Sequence, residues 1–294
     1  DAVHEEVLAW MRRAGCIQIS YGVESGSETI RRRLNKTVSA PRIRRAFALP
    51  QRYGILARAY FIYGCPGETR ATIQETIDLM LEIKPLGAIF YILDLFPGTA
   101  LYADMQRRLN CTDDIWLERV EDIMYFETDP NLSSDLILEF GRDLRASFYR
   151  NLPGFAEDLD LVDEREFYPL HADFFSRLAM TFDQGDYSRV EEIPDKPAIA
   201  EKLYRRALGY HPDARACLGL GILNQKAGRY AESVEILAEG LSHFPGDEQL
   251  RVCLAVSQMN QGRFREALAL LTPCMNRPEA QRLAAACRNA MGRS

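Results

Sequence analysis

The stretch Leu56-Ala57-Arg58-Ala59-Tyr60-Phe61-Ile62-Tyr63-Gly64-Cys65-Pro66-Gly67-Glu68 decides the fold. Eight residues, mostly apolar and aromatic, run without a helical period and stop at a turn of two glycines and a proline, as a buried strand does. From residue 69 to 83 the period changes, and Ile73, Ile77, Met80 and Leu81 fall on one face of a helix. Strand, glycine turn and helix in that order make one βα unit.

Similar signals lie on both sides. Upstream, residues 17–24 predict a strand ending in Ser25-Gly26-Ser27, whose hydroxyls suit a helix start. A helix follows at about 41–53, with Ser39 near its start, Pro41 in the first turn and Gly54 just past its end; Pro50 is expected to break its last turn. Downstream, Thr72 and Glu75 have capping-box spacing, Pro85 and Gly87 close the helix, and residues 88–95 predict a third strand ending in Phe96-Pro97-Gly98-Thr99. Such alternation predicts a parallel sheet with all three strand-ending loops on one rim, where α/β sheets and barrels hold ligands.

Within 17–24, Ile17, Ile19, Tyr21 and Val23 share one side, while Gln18, Ser20, Gly22 and Glu24 share the other. A strand buried on both faces is apolar throughout. The small, polar side therefore reads either as the lining of a cavity or as the wetted face of an edge strand.

The remaining composition narrows the class. At 294 residues the chain is long enough for two domains. A net charge of −6 gives no electrostatic support to a nucleic-acid partner. Arg31, Arg32, Arg33, Arg42, Arg44 and Arg45 cluster locally, either as a phosphate-binding face or as a solvated helix surface. Seven scattered cysteines with no CxxC pair fit a reducing, cytoplasmic setting rather than a disulfide framework; Cys65, in the rim turn, is the one thiol placed for a functional role. No apolar run approaches the roughly 20 residues that cross a bilayer. The chain opens at Asp1 inside an amphipathic pattern, Val3, Val7, Leu8 and Met11, and so reads as part of something longer.

In the second half a 34-residue self-similarity emerges: Gly228-Arg229-Tyr230 recurs as Gly262-Arg263-Phe264, Leu220 as Leu254 and Leu237 as Leu271. This is tetratricopeptide spacing. An interrupted earlier copy occupies about 171–212, with Gly185-Asp186-Tyr187 as its turn, and a helix over 278–291 is expected to cap the stack. The expected groove binds a protein or peptide partner, or the short array serves as a brace. Between the halves, residues 135–149 are helix-periodic and Asn151-Leu152-Pro153-Gly154 is expected to stop that helix.

The first hundred residues also resemble radical S-adenosylmethionine (radical SAM) enzymes, especially those carrying a cobalamin-binding domain. The run from Gly15 through Ile19-Ser20-Tyr21-Gly22-Val23-Glu24-Ser25-Gly26-Ser27 to Leu34-Asn35-Lys36 is similar to the family's fourth-strand region, 61–68 to its fifth-strand glycine motif, and Phe96-Pro97-Gly98-Thr99-Ala100-Leu101-Tyr102 to its segment after the sixth strand. The resemblance implies that Gly22, Glu24 and Ser25 contact S-adenosylmethionine, Glu24 accepting hydrogen bonds from its ribose or methionyl part. It implies that Lys36 pairs with the methionyl carboxylate, and that Ile62, Gly64 and, less directly, Leu93 meet the adenine. Tyr60 departs from the small residue the family often has there.

The family's 4Fe-4S cluster is held by a C-x3-C-x2-C type motif, and no three cysteines here have that spacing. The resemblance thus implies a chain beginning just before the fourth strand of a six-strand partial barrel, with cluster ligands, and possibly a cobalamin domain, elsewhere in a parent that cleaves S-adenosylmethionine reductively. The expected organisation is an α/β partial (β/α) barrel fragment over 1–102, a helical connector over 103–170 and an all-α tetratricopeptide-like domain over 171–294. The alternative is a non-catalytic scaffold with a degenerate half barrel.

Overall fold

Leu56–Tyr63 forms the middle strand of a three-stranded parallel sheet. The structure, a computed structural model, describes residues 4–118 and 121–292, so Val3 of the opening pattern lies outside the described residues. The chain divides into two units, Asp1–Asp160 and Leu161–Ser294.

The first unit runs α1 (Glu5–Arg13), β1 (Gln18–Glu24), α2 (Glu28–Arg33), α3 (Ala40–Arg52), β2 (Leu56–Tyr63), α4 (Arg70–Ile83), β3 (Gly87–Ile92), α5 (Ala100–Leu109), α6 (Ile115–Glu118) and α7 (Ser134–Glu157). Spatial order is β1-β2-β3, all parallel. Along β2 burial alternates: Ala57, Ala59, Phe61 and Tyr63 are buried, while Arg58, Tyr60 and Ile62 are only half-buried. The buried face receives the helices. Phe61 stacks on Phe90 at 5.5 Å, Phe90 meets Phe148 of α7 edge-on at 6.2 Å, and Tyr21 lies 5.3 Å from Phe47 of α3. Ile73 and Ile77 of α4 join Ile137, Phe140 and Leu144 of α7 in the same core, where each large side chain contributes about 1.5–3 kcal/mol.

Several local expectations shift. Both prolines expected to end helices are carried inside them: Pro50 within Ala40–Arg52 and Pro153 within Ser134–Glu157. Proline removes one donor near the helix end but leaves its own carbonyl, and Pro50 accepts from Tyr53 and Ile55. Beyond Pro153, buried Phe155 and Ala156 keep the last turn on the core. The capping box of α4 is formed by Thr69 and Thr72, not Thr72 and Glu75: the Thr69 hydroxyl accepts from the Thr72 N–H at 3.3 Å and the Thr72 hydroxyl from the Thr69 N–H at 2.9 Å.

The second unit is all-helical: α8 (Tyr168–Asp183), α9 (Lys196–Tyr210), α10 (Ala214–Lys226), α11 (Tyr230–His243), α12 (Glu248–Asn260), α13 (Phe264–Leu271) and α14 (Pro278–Met291). Gly228 and Gly262, 34 residues apart, adopt φ of +72° and +76°, and the next N–H reaches back to Asn224 and Gln258 respectively. Close helix packing depends on missing side chains: a Cβ at Gly219 would come 2.2 Å from the Tyr204 ring, and one at Gly221 2.6 Å from Leu237.

Candidate functional site

Because β1 and β2 are parallel, Glu24 and Gly64 stand at the same, carboxyl end of the sheet. The register shifts between Gly22 and Glu24, a bulge that ends regular pairing, and Glu24 takes φ +64°. For a residue with a Cβ this left-handed conformation costs about 1–2 kcal/mol. The bulge re-aims the side chain, and Glu24 Oε1 lies 2.8 Å from Lys36 Nζ, with the carboxylate side chain 12% exposed and the lysine 42%.

Lys36 reaches that position through its own turn. Asn35, at φ +56°, ends α2 in a Schellman arrangement: the Asn35 N–H donates to the Arg32 carbonyl at 3.0 Å and the Lys36 N–H to the Arg31 carbonyl at 2.8 Å. Gly22 supplies the room. A Cβ there would sit 2.4 Å from Glu24 Oε1 and 3.3 Å from Lys36 Nζ. Three sequence positions, one bare, one strained and one delivered by a helix stop, thus form a single group. The half-exposed pair contributes at most about 1 kcal/mol to stability.

Ser25 does not join this group. It is fully buried, its Oγ 3.1 Å from Thr76 Oγ1 and accepting from the Ser27 N–H at 3.1 Å. Gly26 packs against the α4 backbone, where a Cβ would meet the Glu75 carbonyl oxygen at 2.2 Å. Arg31, from the arginine cluster, is buried and donates to the Ser25 and Gly26 carbonyls at 2.8 and 2.7 Å. It braces the turn rather than facing a phosphate. Arg33 donates to the Pro66 carbonyl at 2.6 Å and lies across Gly67.

The Gly64 turn is organised by Glu68. Its Oε2 accepts from the Gly64 N–H at 2.5 Å and the Cys65 N–H at 3.1 Å, while buried Oε1 has no hydrogen-bond partner. Burial pushes the Glu68 carboxyl up to about 7, with the Cys65 and Gly64 N–H groups offsetting part of that rise. Cys65 is fully buried, and burial together with the Glu68 and Glu24 charges raises its thiol well above the ordinary range. A protonated, enclosed thiol is a core residue rather than a nucleophile.

Gly64, at φ +77°, is itself buried, and Leu93 is 8% exposed within the core cluster. Neither offers much surface to a ligand. Ile62 is half-buried on the open face of the sheet, directly opposite Tyr91. Of the seven sequence-derived residues, Gly22, Glu24, Lys36 and Ile62 lie at accessible positions of the rim and face, while Ser25, Gly64 and Leu93 hold the turns behind them. The sequence reading missed the organising role of Glu68, and its spacing from Gly64 carries no general signal. Asn35 was readable as a helix stop.

Residues 1–80 match the family model of the Radical SAM superfamily, and residues 224–289 match that of a tetratricopeptide repeat. An uncharacterized methyltransferase of Pyrococcus horikoshii is 30% identical over 35% of this chain and 22% of its own length. The anaerobic magnesium-protoporphyrin IX monomethyl ester cyclase of Rubrivivax gelatinosus is 28% identical over 37% of the chain and 20% of the relative. Bacteriochlorophyllide d C-12(1)-methyltransferase of Chlorobaculum tepidum is 26% identical over 49% and 31%. The chain therefore spans about a fifth to a third of the length of these relatives.

A radical SAM domain implies S-adenosylmethionine and a 4Fe-4S cluster. Cluster binding needs several converging thiolates. Among the described residues no three His, Cys, Asp or Glu side chains converge on a metal-sized site, and Cys65 is enclosed and protonated. These residues do not fit the cluster. An ammonium and a carboxylate at one strand end do fit the charged and hydroxylated parts of S-adenosylmethionine. No described helix is long and apolar enough to cross a membrane.

Proposed function

We propose that β1, β2 and β3 are an arc of a partial (β/α) barrel that supplies one wall of an S-adenosylmethionine site, in a radical SAM protein whose cluster ligands lie outside this chain. The observation carrying this reading is the Glu24–Lys36 pair, held by a left-handed glutamate over a glycine that makes room for it. A backbone strained to present a carboxylate points to a use for it beyond stability.

In this reading Lys36, with three donors, pairs with the methionyl carboxylate while keeping Glu24. Glu24 accepts from the ribose hydroxyls or the methionyl amine, and Ile62 offers an apolar contact to the adenine from the adjacent strand. Ser25 and Gly64 fix the two turns, and Leu93 fills the core beneath. S-adenosylmethionine, once bound, supplies the family's one-electron chemistry. The methyltransferase and cyclase names of the relatives support two reaction classes, methyl transfer and ring closure.

The repeat unit is proposed to recruit a protein or peptide. Helices α8, α10 and α12 line a groove of about 780 Å³ that includes Met180, Arg215, Leu218, Ile222, Val252 and Val256. One observation favours the scaffold alternative: Glu24 and Lys36 satisfy each other without any ligand. Equilibrium dialysis with radiolabelled S-adenosylmethionine, comparing the intact gene product with its Glu24→Gln variant, separates the readings. About tenfold weaker binding is expected from losing a charged acceptor. No binding by either protein favours the scaffold, and equal binding by both removes Glu24 from the site.

A further inference from the structure

The sheet face opposite the helices carries more than the cofactor residues. Registered across the strands it reads Ser20, Arg58, Gly87 in one row; Gly22, Tyr60, Ile89 in the next; then Ile62 and Tyr91. Ser20 and Gly22 are exposed, Arg58 and Tyr60 are half-buried, and Tyr91 is 53% exposed. This face therefore presents two tyrosines and a guanidinium side by side.

We infer that this face takes a planar conjugated ring bearing a single carboxylate, as the substrate side of the proposed site. The Tyr60 and Tyr91 rings lie 6.1 Å apart at 33°, a shallow aromatic wall against which a flat ring stacks. One row along, Arg58 forms no ion pair or hydrogen bond among the described residues. Its side chain lies across Gly87, where a Cβ would come 3.2 Å from Nε. Opposite it, Ser20 Oγ accepts from Gln18 Nε2 at 3.3 Å, which leaves the hydroxyl proton free to donate.

A guanidinium and a hydroxyl together form a donor set for a carboxylate. Among the described residues of this face Arg58 is the unpaired cation, since Lys36 is engaged by Glu24, so a monoanion matches better than a phosphate dianion. Ser20 and Gly87, on either side of Arg58, and Gly22, beside Tyr60, carry little bulk, while Ile89 stands on the other side of Tyr60. Two residues of strand separate the rows, so ring and carboxylate stand about 7 Å apart. The designation as substrate rests on the cofactor reading; the ligand chemistry stands on these residues alone.

The test uses 2-naphthoate and its neutral analogue 2-naphthamide as probes, with binding followed by ligand line broadening on the full chain. Naphthoate is expected to bind saturably in the millimolar range. Arg58→Gln is expected to weaken it about tenfold while leaving naphthamide unchanged, and Tyr60→Leu to weaken both probes. Equal affinity for the two probes, indifference of naphthoate to Arg58→Gln, or no saturable naphthoate binding overturns the inference, provided far-ultraviolet dichroism shows the variant folded. A second substitution, Tyr91→Leu, guards against local collapse at Tyr60 and carries the same expectation. A separate S-adenosylmethionine titration that fails while naphthoate selectivity persists removes the cofactor reading alone.

Discussion

Left-handed backbone serves both units, and one position sets the sheet apart from the repeats. At the equivalent turns of the repeats the conformation falls on Gly228 and Gly262, where an added Cβ would meet nothing within 4 Å. At the carboxyl rim of the sheet it falls on Gly64, Gly67 and Gly98, and also on Glu24 and Asn35. Asn tolerates the region, and glycine enters it freely, but glutamate does so only when the surroundings impose it. The repeats show backbone optimised for stacking, and the sheet shows backbone bent to place a carboxylate beside an ammonium. Left-handed residues with a Cβ also lie at Lys84, Asn110 and Asp195, so what marks the rim is that its strained glutamate carries the carboxylate paired with Lys36.

That contrast can be broken first at Glu68. Its carboxyl sits near 7 in the folded chain against an ordinary 4.5. Below about 4.5 both states are protonated. Between 4.5 and 7 the native state keeps a proton that the unfolded chain has released, so stability falls as pH rises, and the full cost is present above 7. Urea unfolding at pH 5 and pH 8 should therefore differ by roughly 2.5 kcal/mol from this residue. Glu68→Gln keeps an acceptor for the Gly64 and Cys65 N–H groups and should flatten the dependence; an unchanged pH slope in that variant would argue that Glu68 titrates normally.

In the repeat unit the corresponding probe is Gly219→Ala. The new Cβ would overlap the Tyr204 ring, itself 1% exposed and unable to withdraw, and should cost about 2–3 kcal/mol by denaturant unfolding. Gly228→Ala, strained only in its backbone, should cost about 1–2 kcal/mol. Equal losses at the two positions would mean that helix contact is looser than the distances indicate.

Gly22→Ala sharpens the comparison from the other side. Its Cβ would displace the Glu24 carboxylate from Lys36, yet Gly22 is exposed, so stability should change by less than about 1 kcal/mol while S-adenosylmethionine affinity falls. A drop in stability without a drop in affinity would make Gly22 a purely structural glycine.

What was legible in the sequence was whatever depends on local period and punctuation. The bounds of β2 follow from an apolar run fenced by Gly54 and Gly64, and those of α14 from Pro278 at its first turn. The 34-residue repeat announces itself through Gly228 and Gly262. Pro50 and Pro153 misled because a proline near a helix end removes one hydrogen bond, and buried neighbours decide whether the turn survives. The bulge at Glu24, the space Gly22 leaves for it and the grip of Glu68 on the Gly64 turn are tertiary facts with no periodic trace. The resemblance named Glu24 and Lys36; their direct pairing is a product of the fold.

The account turns on whether that pair meets a cofactor. Calorimetric titration of the intact gene product with S-adenosylmethionine, wild type against Lys36→Ala, addresses it most directly. Loss of a charge-assisted contact to the methionyl carboxylate predicts affinity lower by about tenfold, with the fold intact by circular dichroism. Identical affinities for the two proteins would contradict the assignment.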